Sequence, residues 1–385
     1  MSSFRRTITA GLAAFALTAS LAACASAGAA SDGGSEPVRI GVALPKTGDQ
    51  AQYGEYFEQG LDLALEQLNA AGGIGGRNVE LVLEDTQADP AQAPAVAQKF
   101  VDDPSILAVL GDFGTPATAA ASPILQSAGL VQFAFSASAS TVTDPGDYIF
   151  ATWVSQQYEA PRLAAFAAEQ GSKAAVFYQD TDWGLNTHGF FSEGAADAGL
   201  EEVYQTGYNP KSTDFRPLLL AAQAQNPEVI VLISYAADGA LITAQARELG
   251  IEVPIVGISS IYNQRFIELA GDAAEGVQTL SYFTPVNPDE RVQTFIKDFA
   301  EAYDIETPSD YAVRAYDALK VVATAASAAA ESGELTRASL RDALANGSDF
   351  PTVLYGPITF SETRRVTDAE QYPLVIRDGA FSLRD

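Results

Sequence analysis

The hydrophobic positions along this chain alternate between two periods. From Pro37 onward, short apolar runs rich in β-branched residues are followed by segments in which apolar residues recur every three or four positions. The first run, Val38 to Leu44, precedes a segment in which Phe57, Leu61 and Leu68 fall on one stripe of a helix. Short buried strands that alternate with amphipathic helices are typical of βαβ units around a parallel sheet. The pattern therefore predicts an α/β fold.

The alternation is interrupted once, near residues 148–157, and then resumes, which predicts two lobes of similar build. The segment GGIGG at 72–76 follows a predicted helix and precedes a strand, so it is interpreted as a helix C-cap and turn and not as a dinucleotide-binding loop. The predicted strands are 38–44, 79–83, 107–110, 130–135, 174–178, 229–233 and 255–258, and the predicted helices are 54–71, 91–101, 185–198, 215–225, 239–249, 290–303, 310–331 and 337–345.

Two consecutive strand–loop–helix units are predicted between Leu107 and Thr143. In each unit a loop of Gly, Ser and Thr follows the apolar run, so that hydroxyl groups lie where a helix would begin. The first N–H groups of a helix lack partners within the helix and carry the positive end of its dipole, so two such ends could hold a carboxylate. An alternative is ordinary capping, with Thr115 as N-cap before a proline and with Ser138 and Ser140 as further caps. The repetition in neighbouring units favours a binding site.

The composition of the chain argues against several classes of function. With 385 residues and 47% hydrophobic residues, the chain can bury a large core in about two domains. A formal net charge of −27 argues against nucleic-acid binding, which depends on Lys and Arg. His188 is the only histidine and Cys24 the only cysteine, so a His/Cys metal cluster and a Cys–His dyad are excluded. We expect His188 to lie on or near the surface. No enzyme activity, cofactor or metal is therefore expected.

The N-terminus has the pattern of an export signal. Arg5 and Arg6 precede an apolar run at 8–19, and small residues lead to Cys24, which predicts a signal peptide over residues 1–23. The sequence Leu-Ala-Ala-Cys that ends at Cys24 resembles the lipobox of bacterial lipoproteins, so we expect lipid attachment at Cys24. Residues 24–36 are rich in Gly, Ser and Ala and predict a flexible tether between membrane and domain.

Four aromatic residues lie at or near the ends of predicted strands: Tyr53, Trp153, Trp183 and Tyr235. Each of them could pack in the core, because aromatic side chains usually do. Their distribution over both lobes also suits the wall of a ligand-binding cleft.

The order of several motifs resembles the type I periplasmic binding proteins, in the leucine/isoleucine/valine-binding branch that serves ABC importers. The motifs are PKTGDQAQYGEYFEQGLDLALEQLNAAGGIGG at 45–76, LGDFGTPAT and FSASAST in the double unit, DTDWG at 180–184, AGDAAEG at 270–276 and YAVRAYDALK at 311–320. The resemblance implies two Rossmann-like lobes joined by a three-stranded hinge. The N-terminal lobe would comprise 37–153 and 285–355, and the C-terminal lobe 154–284 and 356–385. The three crossovers would lie near 153–156, 282–285 and 355–357.

The same resemblance implies a set of ligand-binding residues. They are Tyr53, Thr115, Ser136, Ala137, Ser138, Trp183, Tyr235 and Ser259. The hydroxyls of Thr115 and Ser138 would bind the ligand carboxylate, with backbone groups of residues 136 and 137 beside them, and the three aromatic residues would flank the ligand.

Ser259 departs from the amino-acid binders of the family, in which an acid at this position receives the α-amino group. A buried ammonium group without a partner costs several kcal/mol. Unless Asp182, Asp238 or another acid substitutes, an amide, a urea-like compound or a carboxylate is therefore expected in place of a free amino acid.

The expected partners follow from the resemblance: a small-molecule ligand, the permease and ATPase subunits of an ABC importer, and the membrane through the lipid anchor, with the chain itself a monomer. The protein would be exported, either lipid-anchored to the outer face of the cytoplasmic membrane or periplasmic. An alternative is a sensing protein that presents its ligand to a separate receptor, and a degenerate enzyme is a third interpretation.

Overall fold

The computed structural model describes residues 36–367 and 369–384. The predicted signal peptide, Cys24 and nearly all of the predicted tether lie outside the described residues.

The described residues form strands and helices in alternation. The strands are β1 (Val38–Leu44), β2 (Val79–Asp85), β3 (Ile106–Leu110), β4 (Val131–Ala134), β5 (Ile149–Ala151), β6 (Lys173–Gln179), β7 (Glu201–Tyr208), β8 (Val229–Ile233), β9 (Ile255–Gly257), β10 (Gln278–Ser281), β11 (Tyr372–Arg377) and β12 (Ala380–Leu383). The helices are α1 (Ala51–Ala70), α2 (Ala93–Asp102), α3 (Thr115–Ser127), α4 (Gln156–Ala168), α5 (Asp182–Ala198), α6 (Arg216–Gln223), α7 (Ala236–Glu248), α8 (Gln264–Ala270), α9 (Glu290–Tyr303), α10 (Asp310–Ser332) and α11 (Arg337–Asn346).

The strands form two separate sheets, which confirms the predicted α/β fold with two lobes. The first sheet has the order β2-β1-β3-β4-β5 and is parallel throughout. The second has the order β12-β11-β10-β9-β8-β6-β7, parallel from β10 to β7 and antiparallel at β11 and β12. Because parallel strands end at the same edge of a sheet, the loops after β3 and β4 lie next to each other.

Helices cover both faces of each sheet. Helix α1 packs along α10, and α10 and α11 contribute Leu319 and Leu340 to the core of the first lobe. Helices α4 and α5 pack on one face of the second sheet, and α6, α7 and α8 pack on the other. The turn at 72–76 follows α1, with positive φ at its four glycines, as expected for a C-cap and turn.

Several elements differ from the sequence-based expectation. No helix follows β4: residues 140–145 form turns, so the second predicted strand–loop–helix unit is wrong in its last part. Strands β5 and β7 were not predicted. The first has only three residues, and the second is the edge strand EEVYQTGY, whose outer positions are polar and exposed.

The chain passes between the two sheets three times. The first passage joins β5 to α4 and the second joins β10 to α9. The third lies between Val366 and β11, later than the predicted 355–357. Before it, Phe360 packs against Phe133 and Phe150, and Arg365 forms a bridge with Ala151 of β5. Residues 356–366, predicted in the second lobe, therefore belong to the first, because their apolar side chains complete its core.

Within residues 36–367 and 369–384, no helix combines the length and the apolar composition needed to cross a membrane.

Candidate functional site

A narrow cleft lies between the lobes, where the loops after β3 and β4 face the loops after β8 and β9. The space between protein atoms there, part of which is open to solvent, is about 360 Å³. Its lining combines hydroxyl groups, aromatic rings, one carboxylate and one guanidinium: Phe113, Gly114, Thr115, Ser136, Ser138, Trp153, Glu159, Trp183, Tyr235, Ile258, Ser259, Ser260, Tyr311 and Arg314. Such a lining can hold a small solute with both polar and apolar parts.

The first loop of the cleft brings Thr115 to the start of α3. The N-cap of this helix is Gly114, whose φ of 74° is readily available only to glycine, so Thr115 is the first helical residue and not the predicted N-cap. Its hydroxyl makes no capping hydrogen bond and accepts one from the N–H of Ala139 at 3.2 Å. The contact joins the first loop of the cleft to the second.

The second loop carries Ser136 and Ser138 without a helix of its own. The first residue of α4 contacts this loop instead: the N–H of Gln156 donates to the carbonyl oxygen of Ser138 at 2.8 Å. The hydroxyl of Ser138 accepts a hydrogen bond from Nε1 of Trp183 at 3.2 Å. Because Trp183 lies in the first turn of α5 in the second lobe, this bond crosses the cleft.

Aromatic rings from both lobes form one wall of the cleft. Trp183 stacks on Tyr235 with ring centres 4.8 Å apart, and Tyr235 approaches Phe113 of the first lobe at 5.4 Å. Tyr53 lies behind Phe113, stacked on it at 4.4 Å, and is only 1% exposed. Phe113 therefore lines the cleft and Tyr53 lies outside its lining, and contact of Tyr53 with a ligand stays a prediction.

The structure brings six of the eight predicted site residues to the cleft lining: Thr115, Ser136, Ser138, Trp183, Tyr235 and Ser259. Their contact with a ligand stays a prediction. Tyr53 and Ala137 are buried outside the lining. His188 is also outside it: the ring stacks on Tyr178 at 4.3 Å, and Nε2 lies 2.7 Å from the carboxylate of Glu202.

An ion pair that the sequence analysis missed forms the floor of the cleft. Arg314 on α10 donates from Nε to Oδ2 of Asp310 at 3.1 Å, and both side chains are buried. The guanidinium carbon lies 3.1 Å from the ring centre of Trp153 and 4.1 Å from that of Tyr311. The guanidinium group is thus held between rings and a carboxylate, which favours its charged form.

Glu159 is the second group that the sequence analysis missed. It lies in the first turn of α4, is 3% exposed, and its Oε1 has no hydrogen-bond partner among the described residues. Burial raises the pKa of Glu159, and the neighbouring Ser259 and Arg314 oppose part of that rise. Neither of the two acids named as possible substitutes lines the cleft: Asp182 is exposed, and Asp238 accepts hydrogen bonds from Gln179 and Tyr208.

Comparison with known proteins agrees with this architecture. The family model described as periplasmic binding protein matches residues 37–379, and the chain belongs to that family. Within the family, its relatives place it in the leucine/isoleucine/valine-binding branch. It is a solute-binding protein and not an enzyme.

Three relatives illustrate the similarity. The leucine-, isoleucine-, valine-, threonine- and alanine-binding protein of Pseudomonas aeruginosa is 29% identical over 332 residues, which are 85% of this chain and 86% of that protein. The branched-chain amino acid transporter substrate-binding protein of Streptococcus pneumoniae, solved with isoleucine, is 26% identical with a TM-score of 0.83, over 90% of this chain and 98% of that one. An ABC transporter substrate-binding protein of Desulfitobacterium hafniense, solved with leucine, is 29% identical with a TM-score of 0.76, over 91% of this chain and 100% of that one.

Proposed function

We propose that the protein captures a small polar solute between its lobes and delivers it, chemically unchanged, to the permease of an ABC importer. The observation that carries this proposal is the cleft itself, in which hydroxyls of the first lobe face aromatic rings of the second. The ligand belongs to the amino acids, amides, urea-like compounds or small carboxylates. The relatives that bind leucine, isoleucine and other small amino acids support this range of sizes.

The hydroxyls of Thr115 and Ser138 bind the carboxylate or carbonyl oxygen of the ligand in this proposal. Both are at the cleft, and the start of α3 adds the positive end of a helix dipole. The rings of Trp183, Tyr235 and Phe113 contact the apolar part of the ligand.

A ligand-library thermal-shift screen tests the binding function. A ligand at 100 times its Kd stabilises the folded state by about 2.7 kcal/mol, which a thermal scan detects. The double substitution Thr115→Ala with Ser138→Ala should abolish that stabilisation. The matched control is Thr324→Ala with Ser332→Ala, two exposed hydroxyls that bond only carbonyl groups of their own helix. Retained affinity in the first double variant, or turnover of the ligand, would contradict the proposal.

The membrane anchor is a further part of the proposal. The mature chain begins at Cys24, which carries lipid, and residues 24–36 tether the domain to the outer face of the cytoplasmic membrane. One acyl chain binds a membrane only marginally, whereas several bind it stably. Intact-mass measurement on the membrane-extracted protein should find the acyl mass on Cys24. An unmodified Cys24, or a mature chain that begins elsewhere, would refute the anchor.

The delivery step distinguishes an importer from the alternative, a sensing protein that presents its ligand to a receptor. Neighbouring genes for two permeases and two ATPases, together with ligand uptake that is lost when this gene is deleted, are the results expected for an importer. A neighbouring histidine kinase alone, with uptake unchanged by the deletion, would favour sensing.

A further inference from the structure

The cleft contains one carboxylate, Glu159, that forms no ion pair with a cation of the described residues, although the charge of Arg314 acts on it. Asp310 and Arg314 pair with each other, so together they add no net charge. Glu159 takes part in none of the ion pairs between described residues, although it is 3% exposed and lines the cleft. A buried carboxylate of this kind is costly unless a ligand or a proton supplies the missing positive charge.

The position of Glu159 is set by the local structure. Helix α4 begins at the edge of the cleft, where the N–H of Gln156 donates to the carbonyl oxygen of Ser138. Glu159 lies in the first turn, where the helix dipole favours a negative charge. Its carboxylate lies against Ser259, the residue that stands where an acid was expected. The first lobe's hydroxyls at Thr115 and Ser138 line the same small cavity.

We propose that Glu159 receives a positively charged ammonium group of the ligand and thereby replaces the acid that is missing at position 259. The inference rests on the proposed function and deepens it: the solute is a free amino acid, not an amide, a urea-like compound or a plain carboxylate. Its carboxylate binds Thr115 and Ser138, its ammonium group binds Glu159 beside the Ser259 hydroxyl, and its side chain contacts the aromatic wall. The unpartnered Oε1 of Glu159 is the acceptor.

The test measures affinity by titration calorimetry on the full-length chain in detergent. The probes are four pairs that differ only in the ammonium group: leucine and 4-methylpentanoate, valine and 3-methylbutanoate, alanine and propanoate, threonine and 3-hydroxybutanoate. The wild type should bind at least one amino acid about 100-fold more tightly than its partner, since an unpaired buried charge costs several kcal/mol. Glu159→Gln, which keeps the shape of the side chain, should remove that preference, because the affinity for the amino acid falls to about that for its partner.

Two further variants complete the design. Glu193→Gln on the exposed face of α5 is the matched control and should bind as the wild type does. The double substitution Glu159→Gln with Ser259→Glu moves the carboxylate from residue 159 to the neighbouring residue 259. It should restore much of the preference for the amino acid. This rescue separates a role in ligand recognition from a role in folding.

The possible failures are distinguishable. If the wild type binds the des-amino acids, acetamide or urea as tightly as the amino acids, or if Glu159→Gln keeps the preference, the role of Glu159 is refuted while solute binding stands. If the wild type binds none of the probes and gives no hit in the thermal-shift screen, the proposed function fails, and the inference fails with it.

Discussion

Asp317 is a buried carboxylate whose surroundings hold it in place but disfavour its charge. Its two oxygens accept hydrogen bonds from the N–H groups of Val353 at 2.7 Å and Leu354 at 2.9 Å. Burial nevertheless raises the pKa of Asp317 from 3.8 to about 7. Between pH 4 and 7 the folded state therefore keeps a proton that the unfolded state has lost.

This residue predicts a pH dependence of stability. Because the folded state binds the extra proton, the contribution of Asp317 to the free energy of unfolding should fall as the pH rises from about 4 to about 7. Urea denaturation at several pH values in this range measures it, and Asp317→Asn should flatten the dependence by a few kcal/mol over the window. The exposed Asp272→Asn is the control and should leave the profile as in the wild type. Parallel profiles for Asp317→Asn and the wild type would contradict the prediction.

The site was predicted in part at the level of single residues. Thr115 and Ser138 were predicted because strand-end loops with hydroxyl groups have a recognisable local pattern, whereas Ser136 was implied by the family resemblance. Glu159 and Arg314 had no such signal: one is among 49 acidic residues, and the other lies inside a regular amphipathic helix. The two residues are far apart in the sequence and come near each other only in the folded chain, which no local pattern encodes.

Two glycines inside helices show how packing decides the effect of one methyl group. Gly60 on α1 lies against α10, and a Cβ there would be 2.0 Å from the carbonyl oxygen of Ala312. Gly189 on α5 has nothing within 4 Å of the same position. Glycine weakens a helix by roughly 0.5–1 kcal/mol relative to alanine where space is free. The two sites should therefore respond in opposite directions.

The predicted pair of measurements is the free energy of unfolding of Gly60→Ala and Gly189→Ala. Gly189→Ala should gain about 0.5–1 kcal/mol, and Gly60→Ala should lose about 1–3 kcal/mol because α1 and α10 must move apart. Each variant is the control for the other. Stabilisation by Gly60→Ala would show that the contact between the two helices is looser than the structure indicates.

At the level of elements, the helices after residue 290 were predicted within one residue at each end, since their apolar stripes and caps are strong. The edge strands β7 and β12 were not predicted, because exposed edge strands lack the continuous apolar run of central ones. Strand β11, which lies between β10 and β12, was not predicted either, although residues 374–376 are apolar and buried. The helix expected after β4 is absent, as the loop is held by α4 and by Arg365 instead.

At the level of the whole molecule, Arg365 joins the ends of two crossovers. It is buried, and it donates from Nη1 to the carbonyl oxygen of Ala139 at 2.9 Å and from Nη2 to that of Trp153 at 3.2 Å. The side chain thus fixes the last segment of the first lobe to the loop of the cleft and to the first passage between lobes. The sequence could not show this contact, because its partners are more than 200 residues away.

Substitution Arg365→Met should leave the carbonyl group of Trp153 unpaired and remove one of the two hydrogen bonds to that of Ala139, which also accepts from the N–H of Val142. We expect the free energy of unfolding to fall by about 2–4 kcal/mol. Chemical denaturation measures the loss. The exposed Lys297→Met on α9 also removes a cation, and its ion pair with Glu301 at 3.7 Å should contribute less than about 1 kcal/mol. Equal effects of the two substitutions would show that the contacts of Arg365 do not hold the crossovers together.

The chain has only two tryptophans, and both line the cleft between the lobes. Indole fluorescence depends on the polarity around the ring, so the tryptophan emission of this protein depends on the surroundings of the cleft. Ligand binding should change the emission without any attached dye, and Trp153→Phe and Trp183→Phe should divide the change between the floor and the aromatic wall. A titration in which emission stays constant while calorimetry detects binding would contradict this. The two tryptophans therefore serve as intrinsic fluorescent reporters of ligand binding in the cleft.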